Sequence, residues 1–179
     1  LFDIMESLKW IQKNIHSFGG NPENITLFGQ SSGGDAIAHL MISEGIDGLF
    51  KRAIIHSAPL GFRMKRSKMS LEFFRKTDFL KHEKDPLKMV DEYVKFLPSF
   101  RKYGLKTSMP FCTQYGFAPL CTEEESLPEW KANAKKYDVL IGSNHDETAF
   151  YVNTAQEGLY TYLHEKILNK IVRKTTESI

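Results

Sequence analysis

The residues Gly29-Gln30-Ser31-Ser32-Gly33 fit the pattern G-x-S-x-G. In that pattern a serine sits on a sharp strand-to-helix turn with its hydroxyl exposed as a nucleophile. A serine held there takes strained backbone angles and crowds its neighbours. Glycines two positions before and two after, Gly29 and Gly33, are expected to relieve that crowding by removing Cβ atoms. The N–H of the next residue, Ser32, then points toward the oxyanion that forms when the serine attacks a carbonyl. The positive end of the following helix adds to that field. Five residues alone also fit a chance Gly/Ser-rich loop, so the flanking elements decide.

Those elements have the required order. Ile25-Thr26-Leu27-Phe28 is a short apolar run bounded by turn residues, which predicts a strand buried on both faces, as in a parallel sheet. Ala36, Ile37, Leu40 and Met41 predict a helix directly after the turn, with Gly45 as its stop. Upstream, Ile4, Leu8, Ile11 and Ile15 recur at helical spacing, with Trp10 near that face, so residues 2–18 read as an amphipathic helix. Phe18-Gly19-Gly20-Asn21-Pro22 ends it. Arg52-Ala53-Ile54-Ile55-His56-Ser57 and Val139-Leu140-Ile141-Gly142 read as two further buried strands. Helix, strand, helix, strand within sixty residues predicts an α/β fold with a parallel sheet. Residues 67–106 read mostly as helices broken at Pro86 and Pro98. The stretch 107–136, with Pro110, Pro119, Pro128 and the acidic run Glu123-Glu124-Glu125, gives no clear element. Helical patterns follow around 145–153 and 156–172.

Composition narrows the function classes. The net charge is only +2, and no run of 18 apolar residues occurs, so neither nucleic acid nor a membrane is expected as partner. Residues 51–106 carry 15 basic and 6 acidic side chains. Arg63, Lys65, Arg66 and Lys68 are the densest part of that block. The acids interleaved with it, from Glu72 to Glu92, suggest a solvated helical surface rather than an anion-binding patch. Two cysteines, Cys112 and Cys121, exclude a disulfide framework and read as free thiols. No histidine–carboxylate set has metal-ligand spacing, so neither metal nor cofactor is expected. Phe28, Phe50 and Trp10 read as core.

The residues around the turn resemble the type-B carboxylesterase and cholinesterase-like family. The resemblance runs from Leu1-Phe2-Asp3 through Leu8-Lys9-Trp10-Ile11, Asn14-Ile15 and Phe18-Gly19-Gly20-Asn21-Pro22 to Asn24-Ile25-Thr26-Leu27-Phe28-Gly29-Gln30-Ser31-Ser32-Gly33-Gly34. Leu49 to Ser57 is similar to that family's next strand, and Ile141 to Glu147 to its acid-bearing loop. The bacterial para-nitrobenzyl esterase branch is the most similar. The resemblance implies an α/β-hydrolase fold and cleavage of carboxylic esters by a Ser–Glu–His triad. By position it implies Ser31 as nucleophile, Glu147 as the acid 116 positions later, Ser32 as an oxyanion-hole donor and Ser57 as the serine that hydrogen-bonds the acid. Three positions depart from the family pattern. Gln30 stands where Glu is common, which bears on substrate preference. Ser32 stands for Ala, and Thr148 for Gly.

The family's histidine comes well after the acid, and its Gly-rich oxyanion loop comes before Leu1. The chain starts without Met, so it reads as an internal part of one α/β-hydrolase domain, with a helical insertion or cap at roughly 65–105 and with both ends of the domain elsewhere. The local histidines fit the role of base poorly. His16, His39 and His82 read as solvated or part-buried helix positions. His56 reads as packing, His145 is too near Glu147 to bridge it to Ser31, and His164 lies on a predicted helix. The expected function is a serine carboxylesterase acting on a small-molecule ester, with its histidine outside this chain, and cytoplasmic by default. The rival readings are a non-catalytic adhesion relative and another α/β-hydrolase activity such as a thioesterase or peptidase. The oligomeric state is open.

Overall fold

The computed structural model describes residues 1–63, 65–108 and 112–147. The predicted helical patterns after residue 147, and His164 with them, lie outside the described residues. The described residues divide into two compact units, residues 1–61 with 115–147, and residues within 62–114.

The first unit is built on three parallel strands in the order β1-β2-β3: β1 (Thr26–Gln30), β2 (Arg52–His56) and β3 (Asp138–Gly142). The register aligns Gln30 with His56 and His56 with Gly142, so the three strands end level. Helix α1 (Phe2–Asn14) precedes β1, and α2 (Ser32–Leu40) follows it. A 3₁₀ turn over Ile15–Phe18 prolongs α1 and closes at Gly19, whose φ of 80° suits a residue without Cβ.

Met5 and Leu8 of α1 and Ile37, Ala38 and Leu40 of α2 form one cluster with Ala53 and Ile55 of β2. Phe50 and Tyr137 extend it, their rings stacked at 4.7 Å. The helical stripe of α1 runs through Met5 and Leu8 rather than Ile4, which is exposed with Trp10.

Burial on both faces of the strands is not observed. Side chains alternate along a strand. Ala53 and Ile55 meet the helices, while Phe28 is 66% and Leu140 62% exposed. Every residue of β3 is exposed. An apolar strand run indicates burial on two faces only where layers cover both, and here α1 and α2 pack on one. Phe28 and Trp10 are therefore surface residues, and only Phe50 of the three predicted core aromatics is buried.

The stretch that gave no clear element contains α5, a helix over Glu123–Asn133. Its start is a capping box: Glu125 Oε2 accepts from the Thr122 N–H at 3.0 Å. The acidic run thus forms the first turn, where the helix dipole favours negative charge. Pro128 lies inside this helix.

The second unit holds α3 (Ser67–Thr77) and α4 (Pro86–Phe96), joined by a 3₁₀ turn over Asp78–His82 and followed by another over Leu97–Ser108. Pro86 opens α4, where its missing N–H leaves no bond unmade. Met69, Leu80 and Phe100 are buried, and Phe73 packs against Tyr93 and Phe100. Its charges pair as expected at helical spacing, Lys81 with Asp78 and Lys95 with Glu92. Hydrogen bonds from Lys102, Tyr103 and Lys76 hold the Glu72 carboxyl down at about 2. Arg66, read with the solvated bases, is instead buried.

One buried polar pair lies in the first unit. Asp35 and His39, one turn apart on α2, are 0% and 1% exposed. His39 was expected to be solvated or part-buried. Its Nδ1 lies 2.7 Å from the Asp35 carbonyl oxygen, which can only accept, so Nδ1 carries the hydrogen. Nε2 is then the acceptor for the Tyr115 hydroxyl at 3.0 Å. Trp130 sets its ring against the imidazole at 5.9 Å. Burial pulls the His39 pKa from 6.5 to about 4.

This has a sign for stability. Between those two values the unfolded chain binds a proton that the folded one refuses. His39 therefore favours the fold fully above pH 6.5, and its contribution falls as the pH drops toward 4, by up to about 3 kcal/mol. Denaturant titrations of the full-length protein at neutral pH and near pH 4 should show that loss. The non-titrating variant His39→Gln should flatten it.

Candidate active site

β1 delivers Ser31 to the level end of the sheet. The chain there reverses from strand to helix within one residue. Ser31 takes φ 54° and ψ −121°, outside the regions open to ordinary residues, as the helix cap of α2. Such a conformation costs on the order of 1–3 kcal/mol and persists only where its surroundings enforce it. Two backbone bonds do so. The Ser31 N–H donates to the His56 carbonyl at 2.9 Å, and the Ser31 carbonyl accepts from the Asp35 N–H at 2.9 Å. One fastens the turn to β2, the other to α2.

The glycines divide differently from the expectation. A Cβ on Gly29 would lie 2.5 Å from the Gly33 carbonyl carbon and 2.7 Å from the Gly34 nitrogen. A Cβ on Gly33 would meet nothing within 4 Å. The second crowded position is Gly34, where a Cβ would lie 3.0 Å from the Gly29 oxygen and 3.1 Å from the His56 oxygen. The close pair is thus Gly29 and Gly34, because the first turn of α2 lies directly on the end of β1. The sequence signal for Gly34 was the Gly33-Gly34 doublet itself, a costly pair in a helix start unless the backbone approaches something.

Ser31 is half-buried, and among the described residues no side chain hydrogen-bonds its Oγ. Ser32 is the first residue of α2 and is exposed, so its N–H stands at the positive end of the helix beside Ser31. Gln30 ends β1 and is exposed.

β2 delivers Ser57, also at positive φ (50°), tied to β3 by its N–H on the Gly142 carbonyl at 2.8 Å. β3 leads to Glu147 five residues past its end. Glu147 Oε1 accepts from Ser57 Oγ at 2.5 Å and from the Asn144 N–H at 2.5 Å. Among the described residues Oε2 has no partner. One carboxylate oxygen is thus fixed by two donors and the other is left to accept. The Asn144 donor was not anticipated; a backbone group in a turn leaves no mark on residue type.

The histidines fall as follows. His39 is buried with both ring nitrogens engaged. His16 and His82 lie in exposed 3₁₀ turns. His56 is exposed, its ring edge-on to Phe28 at 5.2 Å. His145 Nδ1 pairs with Asp146 at 2.9 Å. None of these hydrogen-bonds Ser31. No group of three metal-ligating side chains comes together among the described residues. No described helix is long and apolar enough to cross a membrane. Both cysteines are free thiols.

Comparison with known proteins places this arrangement. Residues 1–178 match the model of the carboxylesterase family. The probable N-octanoylanthranilate hydrolase AqdA2 of Rhodococcus erythropolis is 31% identical over 160 residues, 84% of this chain and 34% of that one. The para-nitrobenzyl esterase of Bacillus subtilis is 47% identical over 57 residues, 32% of this chain and 12% of its own. Among solved structures, a thermophilic PNB esterase superposes with a TM-score of 0.63 at 26% identity, over 83% of this chain and 32% of its own. Juvenile hormone esterase from Manduca sexta does so with a TM-score of 0.63 at 25% identity, over 94% and 33%. The chain therefore spans about a third of the length of the relatives it matches along most of its own. The three level parallel strands with their flanking helices are part of an α/β-hydrolase fold, and the chain belongs to the carboxylesterase family.

Proposed function

We propose that this chain carries the nucleophile and the acid of a serine carboxylesterase. The observation that carries the reading is the strained backbone of Ser31 at the strand-to-helix turn, with the Glu147 carboxylate fixed through Ser57 on the same edge of the sheet. Ser57 shares the positive φ, but only Ser31 has it at a strand-to-helix turn, with φ 54° and ψ −121° at the cap of α2. A serine that must project its hydroxyl from a sheet edge takes such a turn.

In this mechanism Ser31 Oγ attacks the ester carbonyl carbon while a histidine takes its proton. The charge that develops on the carbonyl oxygen meets the Ser32 N–H at the start of α2. The intermediate collapses, the C–O bond to the alcohol breaks, and the histidine returns the proton to the leaving oxygen. Water then repeats the sequence on the acyl-enzyme and releases the acid. Glu147 Oε2 accepts from the histidine's far N–H and stabilises the imidazolium, while Ser57 and Asn144 keep the carboxylate in place through Oε1. The base is a histidine other than those described, supplied by the remainder of the protein. The substrate is a small-molecule carboxylic ester. A non-catalytic adhesion role has less support, because such a protein would have no use for both a strained Ser31 and a fixed Glu147.

Four outcomes follow in the full-length protein. A fluorophosphonate probe should label wild type, and Ser31→Ala should abolish labelling and lower p-nitrophenyl acetate hydrolysis by about 10⁴-fold or more. Retained labelling in that variant would rule out Ser31 as nucleophile. Ser57→Ala leaves Glu147 one donor short, and kcat should fall by about tenfold with KM little changed. Gly29→Ala should abolish activity or folding, because its Cβ meets backbone. Gly33→Ala should leave the fold intact and stabilise it by up to about 1 kcal/mol in a denaturant titration.

A further inference from the structure

The residues Ser31, Asp35, His39 and Ser43 are spaced by four and share one face of α2 and its continuation. Three hydrogen bonds run down that face. The Ser31 carbonyl accepts from the Asp35 N–H at 2.9 Å. The Asp35 carbonyl accepts from His39 Nδ1–H at 2.7 Å, and the His39 carbonyl from Ser43 Oγ–H at 2.8 Å. A fourth bond leaves the helix, from the Tyr115 hydroxyl to His39 Nε2 at 3.0 Å. We propose that His39 and Tyr115 are positioning residues: together with Asp35 they form a buried clamp that fixes the angular setting of α2, and with it the directions of Ser31 Oγ and the Ser32 N–H.

The proposal rests on reading Ser31 as the nucleophile. Its argument begins with Gly33 and Gly34. Gly34 lets the first turn of α2 lie on β1, and the two glycines together make that turn the least stiff part of the helix. That turn must hold the strain at Ser31. Apolar packing of Ile37, Ala38 and Leu40 buries α2 without selecting one rotation, since neighbouring settings bury similar surface. Hydrogen bonds are directional and select one. The foot of the clamp is independent of the helix. Tyr115 begins a segment closed on itself, with Gly116 N–H on the Cys121 carbonyl at 2.7 Å and Leu120 N–H on the Phe117 carbonyl at 2.9 Å. The same segment holds the Glu44 N–H through the Pro119 carbonyl at 2.8 Å. Trp130 of α5 closes the ring pocket around His39. A histidine so fully buried is disfavoured against an apolar residue unless its ring nitrogens find partners, as both do here.

The test uses the full-length protein and two variants that delete the bond while keeping volume, Tyr115→Phe and His39→Leu. Each is read by the rate of Ser31 phosphonylation, by kcat and KM on a p-nitrophenyl ester, by Tm, and by amide exchange in residues 29–35. A slightly misdirected nucleophile should slow phosphonylation and kcat by about tenfold with KM unchanged. Exchange in residues 29–35 should quicken, and Tm should stay near wild type. His39→Gln, whose amide keeps an acceptor for Tyr115, should recover part of the rate. Wild-type rates and exchange in both deletion variants would overturn the clamp. So would a loss of rate that only tracks a fall in Tm. If wild type itself is not labelled at Ser31, the nucleophile reading fails separately. The exchange data then decide the clamp alone, quickened exchange supporting it and unchanged exchange overturning it. If Tyr115→Phe does not fold, the two His39 variants give the same comparison.

Discussion

The left-handed backbone at Ser31 is the constraint on which the rest of this structure depends. A residue with a Cβ at φ 54° is held there against its own preference. The surroundings of the turn are arranged to hold it. Its N–H is bound to β2 and its carbonyl to α2. Gly29 and Gly34 bring strand and helix backbones together so closely that no side chain fits between them. The sheet supplies the other half of the restraint, since β2 must lie beside β1 in one register for the His56 carbonyl to reach Ser31.

Parallel pairing then explains why residues far apart in sequence meet. Strands that run the same way end on the same edge, so the turns after β1, β2 and β3 face one region. Ser31, Ser57 and Glu147 each follow a different strand. The bond from Ser57 to Glu147 spans 90 positions and closes the set. The carboxylate is held asymmetrically, and the asymmetry matters more than its strength. Two donors on Oε1 fix where the charge sits, while among the described residues Oε2 has no partner and in the proposed mechanism is the oxygen that accepts from the base. A carboxylate satisfied on both oxygens would be more stable and less able to orient a base.

The legible parts of the sequence were those where residue type alone carries the physics. A glycine-flanked serine between an apolar run and a helical stripe has few other folded solutions, so the turn, β1, α1, α2 and the parallel sheet could be read. Burial could not be read in the same way. Phe28 and Leu140 are as apolar as Ile55, and only the layer packed on each face separates them. Helix α5 was hidden by Pro128 and by an acidic run that resembled a loop, although Thr122 and Glu125 had the spacing of a capping box. His39 was misread because a polar residue on a helix is usually solvated. Its partner Tyr115 lies 76 positions away, beyond any local pattern. Gly33 and Gly34 were indistinguishable until the backbone of Gly29 and the His56 carbonyl were placed beside one of them.

The two unusual features of α2 explain each other. A helix with two glycines in its first turn is weak where it must be strong, and a helix with a buried aspartate and histidine sacrifices apolar burial that it could have had. Either feature alone is a defect. Taken together they divide the task. Gly34 allows the backbone approach that Ser31 requires, and the polar line below it restores the rigidity that the glycine pair removes. His39 can serve in this way because burial keeps it neutral, with one nitrogen donating along the helix and the other accepting from outside it. A lysine or an asparagine could not reach both partners, and a leucine would reach neither. The strain at Ser31 is therefore sustained by a line of bonds four residues apart, extending well beyond the five residues that first mark the turn.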